Sequence, residues 1–390
     1  MNAEEIRLPF DPEEYRRRVA AARRAMAEAG IEVLLATGPE NVWYLSGFRT
    51  GTAHVFTALV LPIEGEAFWV LRRTELSNTR ALAEVSWVKH AVGVPDGTDP
   101  PVVLAEALAA RGFGAARIGI DREGWFFTAA MQSRLEAGLP EARFLDASGL
   151  VERIRTIKSA PEIAAMRAVG TITATSLGAG IDLLEEGVTD REIGAVMTAT
   201  AIRAGGEPMP QGPFVTFGPR SFRAHSTWTG DPIPRSALVN TEMAATIDRY
   251  HVPCFRVSVI GPPSAELARF HAASEKGLAA ALDRIEPGMT SHRADTIMRE
   301  AIEKAGCGDE FVVRAAYGIG LSFGPTWGED RLMALRPGDQ RLVEPGMGFH
   351  LVPALYREGL GCVCCSMPVV VTDTGLDPLL DLEPRLFVKD

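Results

Sequence analysis

The sequence predicts a two-domain α/β (α+β) protein, and three observations carry that reading. The chain has 390 residues, beyond the roughly 250–300 at which a single hydrophobic core tends to split. Short apolar runs of strand length alternate with helical stretches between about residues 12 and 145, the signature of an α/β layer. The second half then carries an internal repeat at a spacing of about 100 residues.

In the first half, Tyr15–Ala29 reads as a helix rich in Ala and Arg. Val33–Ala36, Val55–Leu61 and Phe68–Leu71 read as strands. Val102–Arg111 is helical, Ile118–Ile120 a strand, and Trp125–Glu136 helical again. Val151–Lys158 reads as a connecting helix, and Ser159-Ala160-Pro161-Glu162 is a capping box opening an Ala-rich helix from Ile163 to about Leu177. The boundary is set there, giving domains 1–150 and 151–390.

The repeat pairs Glu186-Gly187-Val188-Thr189, ahead of a helix ending Ala201-Ile202-Arg203-Ala204-Gly205, with Glu286-Pro287-Gly288-Met289-Thr290, ahead of one ending at Ala305-Gly306. Each Thr suits an N-cap and each Gly a C-cap. A duplicated helix-plus-sheet unit places a site at its pseudo-twofold centre.

Composition narrows the function. Hydrophobic residues make up 46% and charged residues 23% of the chain, ordinary for a globular protein. A formal net charge of −10 argues against nucleic acid as a partner, because phosphate binding needs clustered Lys and Arg. The polar stretch Met1–Arg24 lacks the apolar core of a signal peptide, and no run of 18 apolar residues suggests a membrane span. Five cysteines, three crowded at Cys362, Cys364 and Cys365, do not form a disulfide framework. A cytoplasmic location is expected.

Several motifs resemble one family. They are Arg153-Ile154-Arg155-Thr156-Ile157-Lys158-Ser159-x-x-Glu162-Ile163, His225-Ser226-Thr227-Trp228, and Glu242 through Arg249-Tyr250-His251-Val252-Pro253 to Arg256. Tyr317-Gly318-Ile319-Gly320, Pro325-Thr326-Trp327-Gly328-Glu329 and Gly346-Met347-Gly348-Phe349-His350 follow in order. Together the chain resembles the creatinase and Xaa-Pro peptidase superfamily, closest to its metal-independent creatinase and ectoine hydrolase-like branch. The resemblance implies an N-terminal creatinase-like domain and a C-terminal pseudo-symmetric pita-bread domain. Peptidases of that superfamily hold two metal ions with Asp, Asp, His, Glu and Glu, ligands that suit divalent ions activating water. By motif those positions fall here on Glu242, Pro253, Tyr317, Val352 and Ser366. One carboxylate of the set survives, so neither metal nor other cofactor is expected.

The resemblance implies roles residue by residue. His225 is the general acid or base, a role imidazole suits; the alternative is a loop histidine bonded to backbone. Glu242, on the apolar strand Leu238–Ile247, binds a guanidinium or amidinium, or else pairs structurally with Arg249 or Arg256. Alternation puts Arg249 and His251 on one strand face and Tyr250 on the other, with His251 a second proton carrier. Tyr317 donates to a developing anion or packs in the core. Trp327 and Glu329 form a pocket wall and cation partner, or a surface loop. His350 replaces lost metal charge, or is a core histidine. A Cys-x-Cys-Cys run on one strand splits its thiols between faces and reads as small buried residues, with Cys365 kept as a substrate contact. In creatinase-like dimers the segment carrying Arg49 and His54 reaches the partner's site, and Arg49 clamps a carboxylate there.

The expected activity is metal-independent hydrolysis of a C–N bond in a small zwitterionic amidine or guanidine derivative, ectoine- or creatine-like, by a homodimer. A lyase or cyclase on the same site and a non-catalytic binding module are the rival expectations.

Overall fold

The structure is a computed structural model that describes residues 7–51, 54–223, 225–329 and 331–390. It divides into two compact units, 1–155 and 156–390. Residues 1–6 of the N-terminal stretch lie outside the described residues.

The first unit is a six-stranded mixed sheet with helices. In chain order it comprises α1 (Pro12–Glu28), β1 (Val33–Ala36), α2 (Pro39–Ser46), β2 (Thr57–Pro62), β3 (Phe68–Arg72), α3 (Leu76–Leu82) and β4 (His90–Val94). It continues with α4 (Pro100–Ala109), β5 (Arg117–Ile120), α5 (Ala129–Gly138), β6 (Arg143–Asp146) and α6 (Leu150–Thr156). The strand order is β4-β3-β2-β1-β5-β6. β1 and β2 are apolar along nearly their whole length because both faces are covered, and Val33, Leu35, Val60, Phe68 and Ile118 share one core cluster. The helix expected from Trp125 begins four residues later. Thr128 is its N-cap, its side chain accepting from the Met131 N–H, and Trp125 ahead of it is 59% exposed. The sequence assigned no element to Pro39–Ser46, which forms α2 with Pro39 in its first turn and Gly47 (φ 76°) closing it. A groove of about 620 Å³ in this unit is lined by Tyr15, Val19, Arg23, Ile63 and Trp87 among others, with Glu66 its single carboxylate and no histidine. No helix among the described residues is long and apolar enough to cross a membrane.

The second unit is built from the repeat. Its first half holds α7 (Ala160–Asp182), α8 (Asp190–Arg203), β7 (Phe214–Phe217), β8 (Leu238–Ile247) and β9 (Tyr250–Ile260). Its second half holds α9 (Ala265–Arg284), α10 (Ser291–Lys304), β10 (Ala316–Gly318), β11 (Ala334–Leu335), β12 (Gly348–Leu351), β13 (Leu355–Arg357), β14 (Gly361–Val363), β15 (Met367–Val371), β16 (Leu376–Pro378) and β17 (Phe387–Lys389). Thr189 and Thr290 cap α8 and α10, their side chains accepting from Glu192 N–H and Arg293 N–H. The hydrogen bonds ahead of the two helices match. Gly187 and Gly288 donate to the carbonyls of Ile233 and Val343, which donate back to those of Val188 and Met289. The meander β7-β8-β9 corresponds to β10-β12-β15, antiparallel throughout. The two meanders meet where the Phe255 N–H donates to Ser366 Oγ at 2.8 Å.

One face of β8–β9 packs on α7. Thr173 on that helix donates to the Val252 carbonyl and accepts from the Ala245 N–H, and Tyr250 donates to Glu162 at 2.5 Å. The other face carries the chemistry.

Candidate active site

Glu242 sits on that second face. Strand register sets it opposite Phe255 on β9 and Phe214 on β7, and the same face continues through Pro253 to His251, the partner of Thr246. The Glu242 carboxyl makes no hydrogen bond or ion pair among the described residues. Its polar neighbours are Tyr356, Cys254, Cys362 and Cys364, and burial raises the pKa of each of them, so all four are neutral at physiological pH. Loss of solvent pushes the Glu242 carboxyl up to about 8, although the residue keeps a partial opening to the surface.

Neither arginine considered as its structural partner serves it. Asp248 and Arg249 have φ of 49° and 63° and form the two-residue turn of the β8–β9 hairpin, so strand alternation does not reach Arg249. Arg249 lies 3.8 Å from Glu207 and over the ring of Phe323 at 5.2 Å. Arg256 is fully buried and donates to the carbonyls of Phe255, Ser366, Leu382 and Glu383.

A chain of hydrogen bonds starts at Trp327, whose ring meets that of Phe214. Trp327 Nε1–H donates to Tyr317 Oη at 2.9 Å; Tyr317 Oη and His350 Nδ1 are 2.8 Å apart; His350 Nε2 and Ser366 Oγ are 2.6 Å apart. Register explains the first meeting of β strands, because Tyr317 on β10 pairs with His350 on β12. His350 is fully buried, and burial, with the nearby positive charges of Arg256 and Arg314, depresses its pKa to about 3. It is therefore neutral and does not replace lost metal charge. A neutral imidazole with both nitrogens engaged has two settings. Either Tyr317 donates to Nδ1 while Nε2–H donates to Ser366, or Ser366 donates to Nε2 while Nδ1–H donates to Tyr317. In the second setting the phenol proton is not given to His350. Tyr317 is only part-buried.

An aromatic wall completes the site. Phe214 meets Trp327 edge-on with centroids 5.4 Å apart and His225 at 5.8 Å. His225 is exposed, at a φ of 57° that non-glycine residues seldom adopt. Glu329 is not available as a cation partner: it forms an ion pair with Lys158 at 2.5 Å, both side chains almost wholly buried. His251 is fully buried, and burial first, then Arg249, lowers its pKa to about 3. Among the described residues neither ring nitrogen finds a partner in hydrogen-bond geometry, although the carbonyls of Arg249 and Gly320 approach the ring. The cysteine run does not lie on one strand. β14 ends at Val363, and Cys362 and Cys364 pack with Ala354 while Cys365 turns to α9, where its Sγ is 3.3 Å from Ser274 Oγ. Cys365 is buried with its thiol pushed up to about 12, and is a packing residue rather than a substrate contact. Arg49 and His54 are exposed residues of the first unit.

The structure thus gathers Glu242, Tyr317, Trp327, His350 and His225 around Phe214. Sequence reasoning missed Phe214, whose only signal was its apolar strand, and took Ser366 for a vacated ligand position without a role.

A two-unit α/β chain whose second unit is a duplicated helix-and-meander half, with a polar site between the copies, is the architecture of the creatinase and Xaa-Pro peptidase superfamily. Residues 164–373 match the metallopeptidase family M24 model and residues 18–157 the creatinase/prolidase N-terminal domain. The chain belongs to the M24 family. It is 30% identical over 402 residues to an ectoine hydrolase of Halomonas elongata, covering 99% of this chain and 100% of the relative. It is 29% identical over 367 residues to a probable dipeptidase PepE of Mycobacterium tuberculosis, covering 94% of each. Among solved structures, dipeptidase PepE from Mycobacterium ulcerans superposes with a TM-score of 0.82 at 26% identity, covering 97% of this chain and 99% of that one. Family and site together define a hydrolase-type enzyme.

The donor set here does not fit the family's two-metal centre. Pro253 and Val352 offer no ligand atom, and Tyr317 and Ser366 are both committed to His350. Among the described residues no group of three or more His, Cys, Asp or Glu side chains is arranged to hold a metal ion.

Proposed function

We propose that the protein hydrolyses a C–N bond of a small zwitterion bearing an amidinium or guanidinium group, of the ectoine or creatine type, without a metal ion. The observation that carries this reading is the Glu242 carboxyl, drawn largely out of solvent and without a partner among the described residues, on the strand face it shares with Phe214, whose ring meets the Trp327 end of the phenol–imidazole–hydroxyl chain. An unpaired buried carboxyl is costly, and an incoming amidinium removes the cost by pairing with it. A Trp and a Phe face suit the same cation. Likeness over its whole length to an ectoine hydrolase supports the substrate class.

In this reading Glu242 gives up its proton as the cation binds and holds the charged nitrogens. The amidinium carbon is electrophilic without a Lewis acid. His225 takes a proton from water as the oxygen adds to that carbon. The C–N bond then breaks as the new C–O bond becomes a carbonyl: His225 returns its proton to the departing nitrogen, and the hydroxyl proton of the intermediate follows, so that the amine leaves as an ammonium. Tyr317, with its proton turned to the pocket by the second tautomer of His350, donates to the addition intermediate.

The purified protein in excess chelator is expected to open ectoine or a related amidine and incorporate one oxygen from labelled water, at a rate unchanged by added manganese. Manganese-dependent cleavage of an Xaa-Pro dipeptide would overturn the reading. Ser366→Ala removes one end of the hydrogen-bond chain and leaves His350 free to choose its tautomer. Loss of one such bond is worth about 1–1.5 kcal/mol, so kcat is expected to fall about tenfold with KM little changed in steady-state kinetics.

A further inference from the structure

Asp190, the first residue of α8, is wholly buried. Its carboxylate accepts from Arg220 Nη2 at 2.6 Å, from the backbone N–H groups of Thr229 and Gly230 at 2.9 Å each, and from the Thr229 hydroxyl at 3.4 Å. Burial alone would raise its pKa; the two backbone donors and the Arg220 guanidinium outweigh that and keep the carboxyl below its ordinary range. Arg220 turns its other nitrogen to the Thr227 carbonyl and lies over the Phe217 ring at 5.1 Å. One carboxylate and one guanidinium therefore gather residues 220, 227, 229 and 230, and His225 lies on the segment so closed.

The second copy of the repeat serves as an internal control. The residue equivalent to Asp190 is Ser291, the first residue of α10, following the matching cap Thr290. Ser291 donates to the Ala334 carbonyl at 2.7 Å and accepts from the Arg336 N–H at 3.0 Å. A neutral side chain ties the following loop to the helix there, so the fold does not require a buried anion at this place. The charge occurs only in the copy whose loop carries His225. That loop is also where the backbone is strained: a histidine at φ 57° costs free energy unless its surroundings over-determine it.

We propose that Asp190 and Arg220 are positioning residues that act through His225, clasping its loop so that the imidazole stays against Phe214 at the mouth of the site. The kinetic part rests on the reading of His225 as the proton carrier; the clasp itself does not.

Arg220→Gln is the first variant, because the Arg220 side chain is 15% exposed and Asp190 keeps its two backbone donors. Misplacing a catalytic group by about 1 Å costs up to roughly 100-fold. The variant is expected to lose 10- to 100-fold in kcat with KM within about threefold. Trypsin should cleave the native variant after Arg223 at least about tenfold faster than the wild type, through local opening of the loop. His225→Asn added to Arg220→Gln should lower kcat no further than His225→Asn alone, since Arg220 acts through that ring; a merely structural role would give additive losses. Asp190→Asn should reproduce both effects, with thermal unfolding confirming a folded protein. Unchanged trypsin rates in folded Arg220→Gln, or additive losses with His225→Asn, would overturn the proposal. Should the wild type turn over no amidine, the reading of the reaction falls, and the trypsin rates alone then decide the clasp.

Discussion

Glu242→Gln is expected to lower kcat/KM for a cationic amidine by about 100- to 5,000-fold, while making the folded protein more stable at pH 8. Removing one member of a buried charge pair costs about 3–5 kcal/mol, and each 1.36 kcal/mol is a factor of ten in rate. The stability change has the opposite sign. The Glu242 pKa is about 8 in the folded chain against an ordinary 4.5. Below pH 4.5 the carboxyl is neutral in both states. Between 4.5 and 8 the folded protein holds a proton that the unfolded chain has released, so stability falls as pH rises through that window and levels off above it. Glutamine has no such slope. Allowing for its partial opening to solvent, the gain at pH 8 is about 2–3 kcal/mol, readable in denaturant unfolding. Binding carries the same signature: between pH 6 and 8 the affinity of wild type for a cationic amidine should rise with pH, by up to about tenfold per unit, because the cation displaces a proton. Titration calorimetry in buffers of different ionisation enthalpy measures that proton. Binding without proton release would show that the cation does not meet Glu242.

His225→Asn carries the second large effect. Loss of a general acid–base group costs about 100- to 10,000-fold, and kcat should fall within that range. Asparagine tolerates the left-handed backbone region, so the variant removes the imidazole without adding strain. The side chain is solvent-exposed, and the unfolding midpoint should hardly move, as for most surface substitutions at about ±0.5 kcal/mol. A kcat within threefold of wild type would assign the proton transfers to other groups, Tyr317 first among them.

The two variants separate what their positions contribute. Glu242 comes from the middle of β8, where register with β7 and β9 holds it rigidly. His225 comes from a loop whose geometry must be imposed from outside. That contrast predicts that second-site effects gather on the loop, where Arg220 and Asp190 stand, rather than around β8.

Much of this architecture could be read from local chemistry. The helix caps at Ser159, Thr189 and Thr290 are spelled in three or four consecutive residues, and each forms as expected. The strand Leu238–Ile247 was legible to its ends because nearly its whole length is buried and apolar or β-branched residues dominate it. That Pro253 and Val352 carry no ligand atom is equally a fact of sequence. The failures have two physical causes: a partner far away along the chain, and a local backbone geometry that strand alternation does not reveal. Glu329 was read as a cation site, but Lys158 reaches it from 171 residues away. Arg249 was placed on a strand face, but two consecutive left-handed residues make it a turn.

The sequence by itself determined the two-unit α/β plan, the duplication, and the absence of ligand atoms at Pro253 and Val352, since caps, periodicity and side-chain atoms belong to individual residues. Only the tertiary structure decided that Glu242 stands without a counter-ion among the described residues, that His350 is a neutral link between Tyr317 and Ser366, and that Asp190 holds the His225 loop. Each of these depends on burial and on strand register between distant segments, which set the dielectric and the partners a side chain meets and leave no mark in its neighbours along the chain.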